Sequence, residues 1–224
     1  MKRLIILSIM LATVLTAGSK VAIVMKAKGD VKLIQAETKL VEPLKRGTGL
    51  VNEDVIRTGK DGFAVAMYLD DKTTIKVRND AEFLIGGEKT AEGIIKRVSL
   101  SYGTMMASVS KQKGKEFIIA TPTSVASVKG TDIIVISDPV FGDLFITLIG
   151  SIVVTNNSTG QSATVNEGET ANSTPDGDLN VTMTEESDIP DFGEEDGEGP
   201  EQHELRFEIE DENGNIKTIV IQYR

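Results

Sequence analysis

Residues 120–135 read ATPTSVASVKGTDIIV. The run is rich in Val, Ile, Thr and Ser and reads as β-structure, yet it carries Thr121-Pro122 at its start and Gly130-Thr131 near its end. Neither pair suits a central strand, because proline lacks the N–H that a ladder needs and glycine weakens a strand interior. The stretch is therefore either a Gly-rich turn built for a phosphate or a set of strands entering and leaving a tightly packed β-fold. The rest of the chain favours the second reading.

The 224 residues allow one large β-domain, or one domain with an appendage. Apolar residues make up 40% of the chain and aromatics only 4%, with no Trp. A core must then be filled by Val, Ile, Leu, Ala and Met, and the β-branched residues among these favour strands. The chain has no Cys, which excludes disulfides, thiolate metal sites and Cys nucleophiles. His203 is the only histidine and lies in an acidic stretch, so Ser-His hydrolase and most zinc chemistry lack a base or ligand. With so few aromatic platforms, sugar processing by paired carboxylates is not expected.

Charge divides the chain. Residues 1–129 hold 21 Lys/Arg against 13 Asp/Glu, whereas residues 130–224 hold 3 against 21. The acidic half would repel phosphates, so nucleic acid is not an expected partner. The basic half reads as a solvated sheet face.

The first residues, MKRLIILSIMLATVLTAGSK, place Lys2 and Arg3 before an apolar run of 14 residues, Leu4 to Ala17, followed by Gly18 and Ser19. That is the layout of a secretory signal peptide, expected over residues 1–18 with cleavage near Gly18 or Ser19. The run is short of the roughly 20 residues of a membrane-spanning helix, and no other run is long and apolar enough. The mature chain is expected in the periplasm or outside the cell, without a transmembrane span.

Short strands separated by turn residues then follow. Lys28-Gly29-Asp30 parts two apolar runs, and Phe63, Val65, Met67 and Leu69 fall on one face before Asp70-Asp71 turns the chain. Thr73, Ile75 and Val77 continue as a second strand. IIKRVSLSYGTMMASV repeats the pattern around Gly103, and EFIIATP, TDIIVIS and DLFITLIGSIVVTN come after it. No convincing helix is present. Turn signals spaced about ten residues apart predict an all-β body, an elongated stack or sandwich of short twisted strands over residues 19–173.

Residues 174–203 are rich in Asp, Glu, Gly and Pro and poor in large apolar residues, so they read as a flexible acidic linker. Residues 204–224 alternate apolar and polar on either side of Asn213-Gly214, the pattern of a C-terminal β-hairpin. Such a hairpin is marginal alone and is expected to dock on the main domain or on a partner.

Several stretches imitate chemical motifs. DENGN at Asp211–Asn215 starts like a calcium loop, but Ile216 stands where that loop needs Gly and Gln222 where it needs Glu. GGEKTAEG at Gly86–Gly93 lacks the order of a phosphate-binding loop and reads as a loop between strands. The acidic run from Glu185 to Glu204 fits no coordination cage, so no metal or other cofactor is expected. Asn157 opens Asn-Ser-Thr, a weak glycan-site match.

The order of motifs resembles the FecR domain family. GDVKLI from Gly29, the block containing Arg57-Thr58-Gly59 and Gly62, VSLSYGTMMASV, FIIATPTSVASVKGTDIIV with Thr121-Pro122 and Gly130-Thr131, and the closing FITLIGSIVVTNNSTGQSATVNEGETA occur in sequence. The resemblance spans Gly29 to Ala171. It implies an exported β-domain in which these residues are structural: Pro122 at a strand beginning, Gly130 at a bend, Thr131 on a local backbone group, and Arg57 at a turn, bonding carbonyls. Sigma-factor regulators of this kind begin with a cytoplasmic anti-sigma segment and a membrane span, and neither is expected before Gly29. The expectation is a non-enzymatic, stand-alone envelope module that binds another cell-envelope protein. The alternatives are a periplasmic signalling component working through a separate membrane partner, and a cell-wall or glycan-binding module.

Overall fold

Glycines and acidic turns break the chain into short strands, and those between Lys20 and Met183 join edge to edge into one curled sheet. The computed structural model describes residues 18–112 and 116–192, and the backbone of two further strands, His203–Glu210 and Ile216–Tyr223. Residues 1–17 of the expected leader, 193–202 of the expected linker, and Asn213-Gly214 lie outside the described residues.

In chain order the first strands are β1 (Lys20–Lys28), β2 (Val31–Ile34), β3 (Val41–Pro43), β4 (Gly49–Val51) and β5 (Asp54–Thr58). Next come β6 (Phe63–Tyr68), β7 (Thr74–Val77), β8 (Ala81–Ile85), β9 (Gly87–Thr90) and β10 (Gly93–Ser108). Then follow β11 (Phe117–Ala120), β12 (Ser124–Val128), β13 (Asp132–Asp138) and β14 (Gly142–Ile149). The series ends with β15 (Ser151–Asn156), β16 (Ser162–Asn166), β17 (Glu169–Ser173) and β18 (Leu179–Met183).

The sheet curls into two layers. One runs β4-β1-β6-β7-β10-β13-β14-β17-β18. The other runs β3-β2-β5-β8-β10-β11-β12-β15-β16, with β9 folded onto the first residues of β10. Every pairing is antiparallel except β10–β11. Strand β10 belongs to both layers. Its residues 93–102 pair with β9, β8 and β11, and residues 103–108 pair with β7 and β13. The corner falls at Gly103, whose φ is +96° and whose missing side chain leaves room for Ala81 and the Asp80 carbonyl.

Between the layers lies one apolar core that includes Tyr68, Phe83, Phe117, Phe145, Ile56 and Leu100, all fully buried. Side chains of this size each contribute about 1.5–3 kcal/mol by leaving water. Tyr68 meets Phe117 edge to face, with ring centroids 6.2 Å apart.

On β6, Phe63, Val65 and Met67 alternate onto one face, where Val65 is buried, Phe63 and Met67 are half-buried and the following Leu69 is exposed, while Ala64, Ala66 and Tyr68 join the core. Strand β6 is thus apolar on both faces. Two sequence expectations need correction. Gly86–Gly93 is not a plain loop, because Gly87–Thr90 pairs with Gly93–Lys96 as a hairpin. The domain does not stop at residue 173. Leu179–Met183 pairs along β17, Leu179 is buried, and the compact unit runs to Ile189 through a short 3₁₀ turn at Glu186–Asp188. The polar composition of this segment suits an edge strand with one buried residue as well as it suits a linker.

Residues 190–224 form a second unit, in which His203–Glu210 (β19) pairs antiparallel with Ile216–Tyr223 (β20). Phe207 lies opposite Ile219 and Leu205 opposite Ile221. Among the described residues no helix is long and apolar enough to cross a membrane.

Candidate functional site

Strand register gathers most of the family-motif residues at one end of the sandwich. Lys28 pairs with Phe63, Val31 with Thr58, and Thr58 with Ala81, which brings the turns after β1, β5 and β7 side by side. Gly29 has φ +70°, and the Asp61 carbonyl fills the space its side chain would take. The Gly59 N–H donates to the Asp30 carbonyl at 2.8 Å, and the Gly62 N–H donates to the Gly59 carbonyl at 2.9 Å. The Thr58 hydroxyl donates to the Arg78 carbonyl at 2.6 Å and accepts from the Ala81 N–H at 2.9 Å. It ties the end of β5 to the turn before β8.

Arg57 lies within β5 and bonds no carbonyl there. Its guanidinium donates to Glu82 through Nε at 2.9 Å and Nη2 at 2.6 Å. Glu82 sits directly across the β5–β8 ladder from it. A cross-strand carboxylate was the nearer acceptor, and the Glu82 hydrogen bond holds the guanidinium still more firmly protonated. Half-exposed pairs of this kind contribute about 0–1 kcal/mol.

The same end is closed in the second half by a buried polar cluster. Register aligns Ser137 with Asp143 and Asp143 with Ser173 across β13, β14 and β17. Asp143 is 1% exposed. Its Oδ2 accepts from the Thr121 hydroxyl at 2.5 Å, from the Thr123 N–H at 3.2 Å, and from the Thr123 hydroxyl. Its Oδ1 and the Ser137 hydroxyl are buried without a hydrogen-bond partner. Asn156 donates to the Ser173 hydroxyl at 2.8 Å and to the Thr174 carbonyl at 2.9 Å. Pro122 is exposed in the β11–β12 turn, and Thr121 beside it is one of the groups that hold Asp143. The cluster therefore locks the turns after β11, β13, β15 and β17 together.

Gly130 and Thr131 lie at the opposite end. Gly130 has φ +127° in the β12–β13 turn, with the Lys111 backbone 3.3 Å from where a Cβ would sit. The Thr131 hydroxyl donates at 3.1 Å to the Ser151 carbonyl, a group on β15 rather than a local one.

That end also holds a cleft of about 420 Å³ lined by Asp70, Asp71, Glu92, Lys96 and Gln112 among others. Lys96 is 1% exposed, and its Nζ lies 2.9 Å from Asp70 and 2.9 Å from Asp71. Burial pushes the Asp71 carboxyl up, but hydrogen bonds from Lys96, the Thr73 backbone and Gln112 together hold it below the usual carboxylate range. The Lys96 ammonium also stands 5.2 Å from the centre of the Tyr68 ring. Burial, with the charges of Asp70 and Asp71, pushes the Tyr68 phenol far up, so it stays a donor to the Gly86 carbonyl at 2.7 Å. Lys96, Asp70, Asp71, Gln112 and Tyr68 are each engaged with one another or with a backbone carbonyl, which is the pattern of a structural ion cluster. Among the described residues no group of His, Cys, Asp and Glu side chains is placed to hold a metal ion.

Sequence reasoning missed Lys96 and Asp143. The signal for Lys96 was its phase: it alternates with Ile94, Val98 and Leu100 on the core face of β10. Asp143 likewise alternates with Phe145 on the core face of β14.

Residues 54–140 match the family model described as FecR protein, so that part of the chain is similar to FecR proteins. The match runs from β5 into the β13–β14 turn. The fold is similar to two crystal structures of a candidate anti-sigma factor from Parabacteroides distasonis, each with TM-score 0.51 and 16% identity over 58% of this chain and 60% of that one. The chain thus spans about 60% of the length of that solved protein, and at this identity the likeness concerns the fold alone. No curated protein matches the chain.

Proposed function

We propose that the chain is an exported, non-enzymatic protein of the cell envelope whose FecR-like domain serves as a protein-interaction or scaffold module in signalling. The observation that carries this reading is the placement of the motif residues. Gly29, Thr58, Gly59, Gly62 and Thr121 close turns, and together they make one end of the sandwich an ordered surface of loops. Loops fixed on a rigid frame are where binding functions commonly sit. The leader-like start supports export. The lone His203 and the lack of Cys support a role without nucleophilic chemistry. The fold shared with a candidate anti-sigma factor supports the signalling direction, through a separate membrane partner. Edge strands β16 and β18, each paired on one side only among the described strands, suit strand addition by such a partner.

Crosslinking in intact cells, followed by capture of the tagged chain, tests this. The expected result is one envelope protein in near-equal amount, binding again when purified, with the tagged chain lacking residues before about Gly18. A cytoplasmic chain that keeps Met1, or no captured envelope protein, overturns the reading.

A further inference from the structure

We propose that Val140 and Phe141, at the tip of the β13–β14 hairpin, form an apolar plug that enters a pocket on a protein partner whose rim carries Lys or Arg. The proposal rests on the interaction reading above and names its surface and the chemistry of its partner.

The tip is unusual for this chain. Val140 is 74% exposed and Phe141 is 80% exposed, whereas Phe83, Phe117 and Phe145 are fully buried. The pair is also held in place. The Asp138 carboxylate accepts from the Val140 N–H at 2.8 Å and from the Phe141 N–H at 3.0 Å, a side-chain cap on the turn. Gly142 follows with φ +105°, and the Ser173 carbonyl and Thr174 fill the space its side chain would take. The next residue is Asp143, fixed by Thr121 and Thr123. A large apolar pair on a turn fixed from below loses little freedom on binding, and aromatic anchors of this kind dominate interface energetics.

Charge selects the partner. Asp138 caps the tip, and the β17–β18 turn against which Gly142 packs carries exposed Asp176 and Asp178. No Lys or Arg occurs between Lys129 and Arg206. The acidic residues at this tip would repel an anionic lipid surface locally, and a second copy meeting it tip to tip would face it with the same sign. A pocket with a basic rim meets both the apolar tip and its acidic border.

The chain has no Trp, so Phe141→Trp places a single fluorescent reporter at the tip. The probe is a displayed random-peptide library selected on the folded chain. Selected peptides should join an aromatic or aliphatic centre to Lys or Arg, shift the Phe141→Trp emission to the blue, and bind more weakly as salt rises. Val140→Ala with Phe141→Ala should weaken them about tenfold or more while leaving the melting temperature unchanged. Equal binding by the double variant overturns the proposal. So does a blue shift with phosphatidylethanolamine–phosphatidylglycerol vesicles, or with rising protein concentration alone. If the crosslinked envelope protein is captured equally well by the double variant, the interaction reading survives and the plug does not.

Discussion

Lys96 and Asp71 meet at 2.9 Å, with the lysine side chain 1% exposed and the carboxylate 22%. The lysine stem rises from the core face of β10, and its head is held by the β6–β7 turn. Removing the ammonium leaves Asp70 and Asp71 facing each other with their shared cation gone. Lys96→Met should therefore cost on the order of 3 kcal/mol in denaturant unfolding. Adding Asp71→Asn to it should recover part of the loss.

The same pair sets a pH dependence. The folded-state pKa of Asp71 lies below its ordinary value. Its stabilisation is thus fully present above the ordinary carboxylate range and is lost as pH falls through the lowered folded value. Thermal melts against pH should show a shallower acid limb for Asp71→Asn than for the wild type. The two curves should converge once the carboxyl is protonated. Parallel acid limbs would show that Asp71 is not the group responsible.

Asp143→Ala should destabilise the fold by on the order of 3 kcal/mol, because the buried Thr123 N–H loses its acceptor and the Thr121 and Thr123 hydroxyls lose their carboxylate partner. Asp143→Asn keeps an acceptor and should cost less. Calorimetric melts of the two variants check the order.

Gly130→Val should cost of order 1–3 kcal/mol, since φ +127° disfavours a side chain and the Lys111 backbone stands close by. An unchanged melting temperature would show that the turn relaxes freely.

Truncation locates the end of the domain. A chain ending at Ile189 should melt like the full chain, whereas one ending at Ser173 should melt lower. The shorter chain loses the β18 ladder and buried Leu179, leaving β17 with an open edge. Protease should cut first between Ile189 and Gln202.

Period-two alternation and turn residues made the all-β architecture legible, because both are local properties of the chain. Gly29 and Gly130 could be assigned to turns for the same reason. Pairing partners are not local, so the Arg57–Glu82 pair and the corner at Gly103 could not be read from spacing. The motif VSLSYGTMMASV looked like two strands around a glycine, yet it is one strand that changes layers. Lys96 was hidden by a composition rule. A lysine is counted as solvated by default, and only its phase among Ile94, Val98 and Leu100 places it inside.

Strand β10 has a topological consequence. Among the described strands, β1–β9 and β11–β18 share no ladder, and both pair with β10. A break introduced between β10 and β11 would yield two complementary fragments, the first carrying a ready template for the second in each layer. Their recombination would restore the β10–β11 and β10–β13 ladders in one event, which makes the chain a natural candidate for a split reporter. In hydrogen exchange, the amides of Met105 to Ala107 should be the last to open, because their strand is flanked on both sides by strands from opposite halves.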